Sequence, residues 1–263
     1  MCEECGCGVT SARTEPAPRG AHDPDGADAR TAGATTQSVV VLRDLLARND
    51  RIAAHNREHF DSRGILAVNL MSSPGSGKTS LLECTVERLG GRLRIAVIEG
   101  DLATENDAKR IRAKGIPAVQ ITTGSACHLD ALMVHGALSD LRLDALDLLL
   151  IENVGNLVCP ASFDLGEHLD VVLLSVPEGD DKPQKYPVVF RAADLLLLTK
   201  TDLLAALPEF DPARAEESLR ALGSDAPVLA ISSRTGLGLG PWCAWLVSEL
   251  GRRKGAARPA RGP

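Results

Sequence analysis

The chain has 263 residues, 44% hydrophobic but only 3% aromatic, and carries 35 acidic against 29 basic side chains for a net charge of −6. That length allows one large domain or two small ones with a sizeable core, and the acidic balance excludes general nucleic-acid binding. No apolar run reaches the roughly 18 residues of a membrane helix, and Glu3 and Glu4 stand where a signal peptide would be basic and then apolar, so the expected setting is the cytoplasm, without membrane attachment.

The first seven residues hold three of the chain's seven cysteines, Cys2, Cys5 and Cys7. Three thiols beside a terminal amine can wrap one soft metal ion, serve redox chemistry, or be incidental to an unstructured end. In a reducing compartment, cysteines read as ligands or core residues rather than disulfides. Residues 8–36, rich in Ala, Gly, Pro, Asp and Thr and broken by Pro16, Pro18 and Pro24, read as a flexible linker.

Residues 37–250 read as one domain. It opens with an amphipathic helix over 38–60 (Val39, Val40, Leu42, Leu45, Leu46, Ile52, Ala53) that Gly64 stops. Apolar runs at 65–71, 93–98, 118–121, 146–151, 171–176, 195–199 and 228–231 then alternate with helical stretches. Fully apolar runs such as Leu148–Ile151 belong in a sheet covered on both faces. The expected fold is an α/β P-loop NTPase: a mostly parallel sheet with helices on both faces, preceded by a disordered metal-binding tail. Residues 251–263, with Arg252, Arg253 and Lys254, read as a basic disordered tail.

Ser72-Ser73-Pro74-Gly75-Ser76-Gly77-Lys78-Thr79 follows the first strand and opens a helix, matching G-x-x-x-x-G-K-[ST] except that Ser72 replaces the first glycine. Gly75, Ser76, Gly77 and Ser80 would bring backbone and helix N-terminus to phosphate oxygens. Lys78 would reach the β- and γ-phosphates, and Thr79 would coordinate Mg²⁺. Thr199-Lys200-Thr201-Asp202 follows a buried strand, like the guanine-reading Asn-Lys-x-Asp, with Thr199 in place of Asn. Asp202 would accept two guanine N–H groups that adenine lacks; otherwise it is a helix cap. Lys200 would lie over the base, and Ser232, Ser233 and Arg234 form a supporting loop. Asp101, ending the second strand, is the candidate carboxylate near Mg²⁺. Gly155, in Glu152-Asn153-Val154-Gly155, would give its N–H to the γ-phosphate. No water-positioning Gln is evident, so hydrolysis of GTP to GDP should be intrinsically slow.

With these residues in view, the chain resembles the nickel-incorporation accessory GTPases of nickel–iron hydrogenase maturation, the HypB family. The resemblance spans residues 38–250. It rests on Asn69–Thr79, Glu99–Thr104, Gly124–Asp130, Ile151–Pro160 and Glu178–Pro183. It implies a metal site at Cys127, His128 and Cys159, a donor set suited to Zn²⁺ and Ni²⁺. A homodimer would complete that site when GTP or metal is bound. The resemblance further implies nickel held by Cys2, Cys5 and Cys7, delivery to a hydrogenase large subunit, and a second nickel accessory metallochaperone as partner. Because Cys159 lies just beyond Gly155, γ-phosphate contact should shift it and change metal affinity. A related accessory GTPase for urease, and a metal-storage protein with structural nucleotide, remain as alternatives. His55 and His59 share a helix face at i, i+4, as a metal pair or a solvated face. Cys84 and Cys243 read as core, and no spacing implicates His135 or His168. Asp180, Asp181 and Lys182 read as a loop facing a partner, nucleotide or solvent.

Overall fold

The structure, a computed structural model, describes residues 30–102 and 105–256. The Cys2, Cys5 and Cys7 motif and most of the expected linker lie outside the described residues. The apolar runs form strands β1 Leu66–Ser72, β2 Ile95–Asp101, β3 Ala118–Thr122, β4 Leu148–Glu152, β5 Leu169–Ser175, β6 Leu195–Thr199 and β7 Val228–Ala230. They pair in the order β3-β2-β4-β1-β5-β6-β7, and every pairing is parallel. Parallel neighbours need long crossovers. These are supplied by helices α1 Arg30–Arg63, α2 Lys78–Leu89, α3 Asn106–Arg112, α4 Ala131–Leu138, α5 Lys182–Lys185, α6 Pro187–Ala192, α7 Pro212–Ala221 and α8 Leu239–Ala256, with α1 leading into the sheet.

Side chains alternate across the strands. Leu66, Val68, Leu70, Leu148 and Leu150 face α2, α3 and α8. Ala67, Leu149 and Ile151 face Phe60 of α1 and Val134 of α4, while Val172, Leu174, Leu196 and Leu198 face α6 and α7. Covering both faces explains why the central strands are apolar at consecutive positions. Truncating any of these leucines to alanine should cost about 2–5 kcal/mol.

The chain parts between Ala47 and Arg48 into two units, the second holding the whole sheet. Helix α1 begins at Arg30, inside the stretch read as linker. No proline follows Pro24 there, and Ala32 and Ala34 favour the helix. It ends as the sequence suggested: Gly64 N–H donates to the Asp61 carbonyl (3.1 Å) and Ile65 N–H to the Phe60 carbonyl (3.0 Å), a Schellman closure. Ile65 and Phe60 join one core cluster. The second half of α1 is fastened by buried amides. Asn49 donates to the Asp164 carbonyl (2.7 Å), and Asn56 donates to the carbonyls of Ala131 and Leu165 (both 2.9 Å).

Helix α8 corrects the expected boundary at residue 250, since it continues to Ala256. Arg252, Arg253 and Lys254 are therefore helical, the last two in the final turn, where cations oppose the negative end of its dipole. They pair with Glu249, Asp61 and Asp147. Among the described residues no helix is long and apolar enough to cross a membrane.

His168 joins α1 to the sheet. Its Nδ1 accepts the Ala67 N–H (3.0 Å), and its Nε2 faces Asp61 at 3.4 Å. Burial, then the Arg253 charge, lowers its pKa from 6.5 to about 4. Below the ordinary value the unfolded chain takes up a proton that the folded chain refuses, so stability falls as pH drops towards that lower value. Urea unfolding at about pH 7.5 and about pH 5 should show this loss, and His168→Gln should reduce it. An unchanged pH slope in the variant would assign the effect to another group.

Candidate functional site

All strands of a parallel sheet end at the same edge, and the sequence-predicted nucleotide residues collect there. Between β1 and α2, Gly75 and Gly77 take positive φ (76° and 97°) and turn the chain into the helix. Lys78, the first residue of α2, is buried and donates from Nζ to Ser72 Oγ (2.8 Å). Ser72 in turn donates to the Ser73 carbonyl (2.7 Å). The serine that departs from the glycine pattern is thus the partner of the Lys78 ammonium. Burial lowers the Lys78 pKa, against the opposing pull of Glu152, Glu99 and Glu178. The carboxylate of Glu178 accepts from Ser76 Oγ (2.6 Å), Ser175 Oγ (2.6 Å) and Ser175 N–H (2.9 Å), bracing the loop against β5.

Thr79 donates from its hydroxyl to Glu152 Oε1 (3.1 Å). Glu152 ends β4, and Glu99 stands directly opposite it on β2. Both are buried. Burial first, and the Glu152 carboxyl second, push Glu99 up to about 11; burial also raises Glu152. Glu99 Oε1 and Glu152 Oε2 have no hydrogen-bond partner among the described residues. Two such oxygens beside a threonine hydroxyl fit a hard divalent cation. Neither stands out in the sequence as a site residue. Their pairing shows only when β2 and β4 are seen as neighbours in register. Asp101, at the end of β2, accepts the Leu102 N–H on Oδ1 (2.6 Å).

A cleft of about 610 Å³ opens beside this loop, lined by Ser76, Gly77, Ser80, Thr199, Lys200, Asp202, Ser233 and Arg234. It is large enough for a nucleoside. Asp202 accepts from Ser232 Oγ (2.6 Å) and Arg234 Nε (2.8 Å), and these bonds hold its carboxyl below the usual range. Ser232 is fully buried and acts on Asp202, whereas Ser233 and Arg234 line the opening. Thr199, which stands in place of Asn, donates to the Ser76 carbonyl (2.7 Å), tying the base loop to the phosphate loop. Lys200 is the only non-glycine with positive φ (57°) among the described residues, a backbone strain of about 1–2 kcal/mol. Cys84 packs half-buried against the core, as read from the sequence, and also lines this cleft. Cys243 is in the core as expected.

Cys127, His128 and Cys159 come together, with one ligand atom from each lying within 4.8 Å of the others. The two sulfurs are 3.1 Å apart and His128 Nδ1 is 3.8 Å from Cys127 Sγ. The His128 ring stacks on Phe163 at 4.0 Å, and burial lowers its pKa, leaving a neutral imidazole. The adjacent Cys127 thiol raises the pKa of Cys159, so the pair resists double ionisation until a cation compensates it. Two thiols and an imidazole suit a borderline transition metal.

The segment from Asn153 to Cys159 links this cluster to the phosphate loop. A Cβ on Gly155 would stand 2.9 Å from Pro74 Cα, so only glycine allows this approach. Asn153 accepts the Leu129 N–H on Oδ1 (3.1 Å) and donates to Asn69 Oδ1 (3.3 Å). Asn156 donates to the Cys127 carbonyl (3.3 Å). Away from these sites, Asp180 accepts from Asp211 N–H (2.7 Å) and Arg214 (2.8 Å), a structural tie to the start of α7.

Residues 66–230 match the model of the CobW/HypB/UreG nucleotide-binding domain. The hydrogenase maturation factor HypB of Azotobacter vinelandii is 56% identical over 215 residues, 81% of this chain and 70% of that protein. The crystal structure of HypB from Helicobacter pylori in complex with nickel superposes with a TM-score of 0.75 at 40% identity, covering 82% of this chain and 100% of that one. HypB from Archaeoglobus fulgidus gives a TM-score of 0.73 at 42% identity, covering 78% and 99%.

The buried carboxyl of Glu99 has a testable pH signature. As pH rises above 4.5 the unfolded chain ionises Glu99 while the folded chain holds its proton up to about 11, so the native glutamate costs stability with rising pH. Glu99→Gln should therefore gain stability relative to the native protein between about pH 5 and about pH 8, by at most about 1.4 kcal/mol per pH unit, measured by denaturant unfolding without nucleotide or magnesium. A pH-independent difference would mean that Glu99 is ionised in the fold.

Proposed function

The chain belongs to the CobW/HypB/UreG family and, within it, to the HypB hydrogenase maturation factors, and on that premise we propose that it is a cytoplasmic GTPase that carries Ni²⁺ to the large subunit of a nickel–iron hydrogenase. The observation that carries this reading is the segment 153–159, which packs on the phosphate loop at Gly155 and supplies Cys159 to the thiol cluster.

The guanine base would occupy the cleft with its N–H pair on Asp202, its plane under Lys200, and Ser232 holding the carboxylate in place. The triphosphate would lie on Gly75–Ser80, and Lys78 would leave Ser72 for the phosphate oxygens. Mg²⁺, when bound, supplies positive charge to those oxygens; Thr79, Glu152 and Asp101 would hold it, Asp101 directly or through water. Hydrolysis of GTP to GDP and phosphate would be slow without a water-positioning side chain. The Gly155 N–H would meet the γ-phosphate, so its presence or loss would move Cys159.

Ni²⁺ is cargo in this scheme. Cys127, His128 and Cys159 offer three donors, and a second copy of the chain across a two-fold axis would complete the coordination. The same donors accept Zn²⁺. Cys2, Cys5 and Cys7 would capture nickel first, and a second nickel accessory metallochaperone would receive or relay it.

Phosphate release from GTP tests the enzyme reading. The native chain should turn over slowly and Lys78→Ala should lose at least about 100-fold, the cost of roughly 3 kcal/mol of transition-state stabilisation. Absence of turnover in the native chain would favour metal storage with structural nucleotide. Nickel titrations with GDP and with a non-hydrolysable GTP analogue test the coupling. Affinities should differ by about 5- to 150-fold, and equal affinities would refute a switch through Gly155.

A further inference from the structure

Outside the nucleotide cleft and the thiol cluster, three imidazoles from two helices converge. His55 and His59 lie one turn apart on α1, and His135 is on α4, which packs beside it. One ring nitrogen from each lies within 4.8 Å of the other two. The ring centroid of His135 is 5.2 Å from that of His55 and 5.9 Å from that of His59. His55 Nε2 and His59 Nε2 are 3.1 Å apart. Two imidazole nitrogens sharing one tetrahedral ion at about 2.0–2.1 Å each stand roughly 3.3 Å from one another, so little movement is needed to admit a cation.

The surroundings set the rings for that role. Asn56 is fully buried and spends both amide hydrogens on the carbonyls of Ala131 and Leu165. Its Oδ1 can then only accept, and it faces His135 Nδ1 at 2.9 Å. His135 must therefore carry its proton on Nδ1, which leaves the lone pair on Nε2. Fixing a ligand's tautomer through its other nitrogen is the usual outer-sphere arrangement of a metal-binding histidine. The Glu58 carboxylate stands 3.8 Å from His55 Nδ1, beyond hydrogen-bond reach, and adds negative charge beside the rings. Burial, with the neighbouring imidazoles and, for His59, Arg63, keeps His59 and His135 below their ordinary pKa, in the neutral form that binds metal.

We propose that His55, His59 and His135 bind a divalent first-row transition ion, as a site separate from the thiol cluster. Three imidazole nitrogen donors with an open position select Zn²⁺, Ni²⁺ or Cu²⁺ over Mg²⁺ and Ca²⁺. The bound ion would clamp α1 to α4, the helix that starts directly after the Cys127–His128 loop.

Equilibrium dialysis of the untagged full chain against Zn²⁺, with metal counted by elemental analysis, tests this. His59→Gln and His135→Gln should each bind one equivalent fewer than the native chain, and Cys127→Ser should keep the histidine-held equivalent. With Co²⁺ as probe, the sulfur-to-metal charge-transfer band should persist in both histidine variants and weaken in Cys127→Ser. Equal metal counts in the native chain and both histidine variants would overturn the proposal. Loss of an equivalent together with the thiolate band would also overturn it, because the histidines would then merely support the thiol site. His59 is only half-buried, so its variant decides the question should His135→Gln fail to fold.

Discussion

The parallel pairing of β1 with β4, which sets Leu70 opposite Glu152, is the constraint on which the rest of the site depends. Both strands leave the sheet at the same edge, so the chain that follows β4 must run beside the chain that follows β1. The Asn153 N–H donates to the Leu70 carbonyl (3.1 Å) one step beyond the ladder. From there Asn153, Gly155 and Cys159 meet, in turn, the Leu129 backbone, Pro74 and Cys127. A phosphate loop and a thiol cluster are joined by seven residues of one strand's continuation, with no separate relay.

The same pairing concentrates charge where water is scarce. Glu99, Glu152 and Lys78 are buried within the sheet's rim, and burial shifts each towards its neutral form. Buried ionisable groups destabilise a fold unless something compensates them. In the proposed function a cation and an anion arriving together would compensate them, at the carboxyl oxygens without partners beside Thr79 and at the lysine that rests on Ser72. Nucleotide binding would then stabilise the fold as well as occupy the cleft, by ordinary linkage.

The second half of α1 has a structural task that explains its buried polar residues. Asn49 and Asn56 satisfy backbone groups of Ala131, Asp164 and Leu165. Those bonds also set the position of α4 relative to α1, and so bring His135 to His55 and His59. This amide fastening is what positions the histidine cluster.

The sequence by itself determined a good deal. Gly75-Ser76-Gly77-Lys78-Thr79 after a strand specifies a glycine turn into a helix N-terminus, because backbone turn and helix start are local properties. The seven apolar runs specify a covered sheet, since burial on both faces leaves a one-dimensional trace. The Schellman stop at Gly64 is likewise local. The ends of α1 at Arg30 and α8 at Ala256 were not legible, because tail-like composition does not reveal a helix; the end of α8 is held by Asp61 and Asp147. Ser72 and Thr199 looked like lapses from a pattern, and Glu99 with Glu152, Cys84 beside the base cleft, and His135 with His55 and His59 carried no spacing at all. Ser72 meets Lys78 within one loop, and the others depend on strand order and helix packing, which bring residues dozens of positions apart into contact. Only the tertiary structure decided them, because periodicity records which face a residue takes and is silent on what waits across from it.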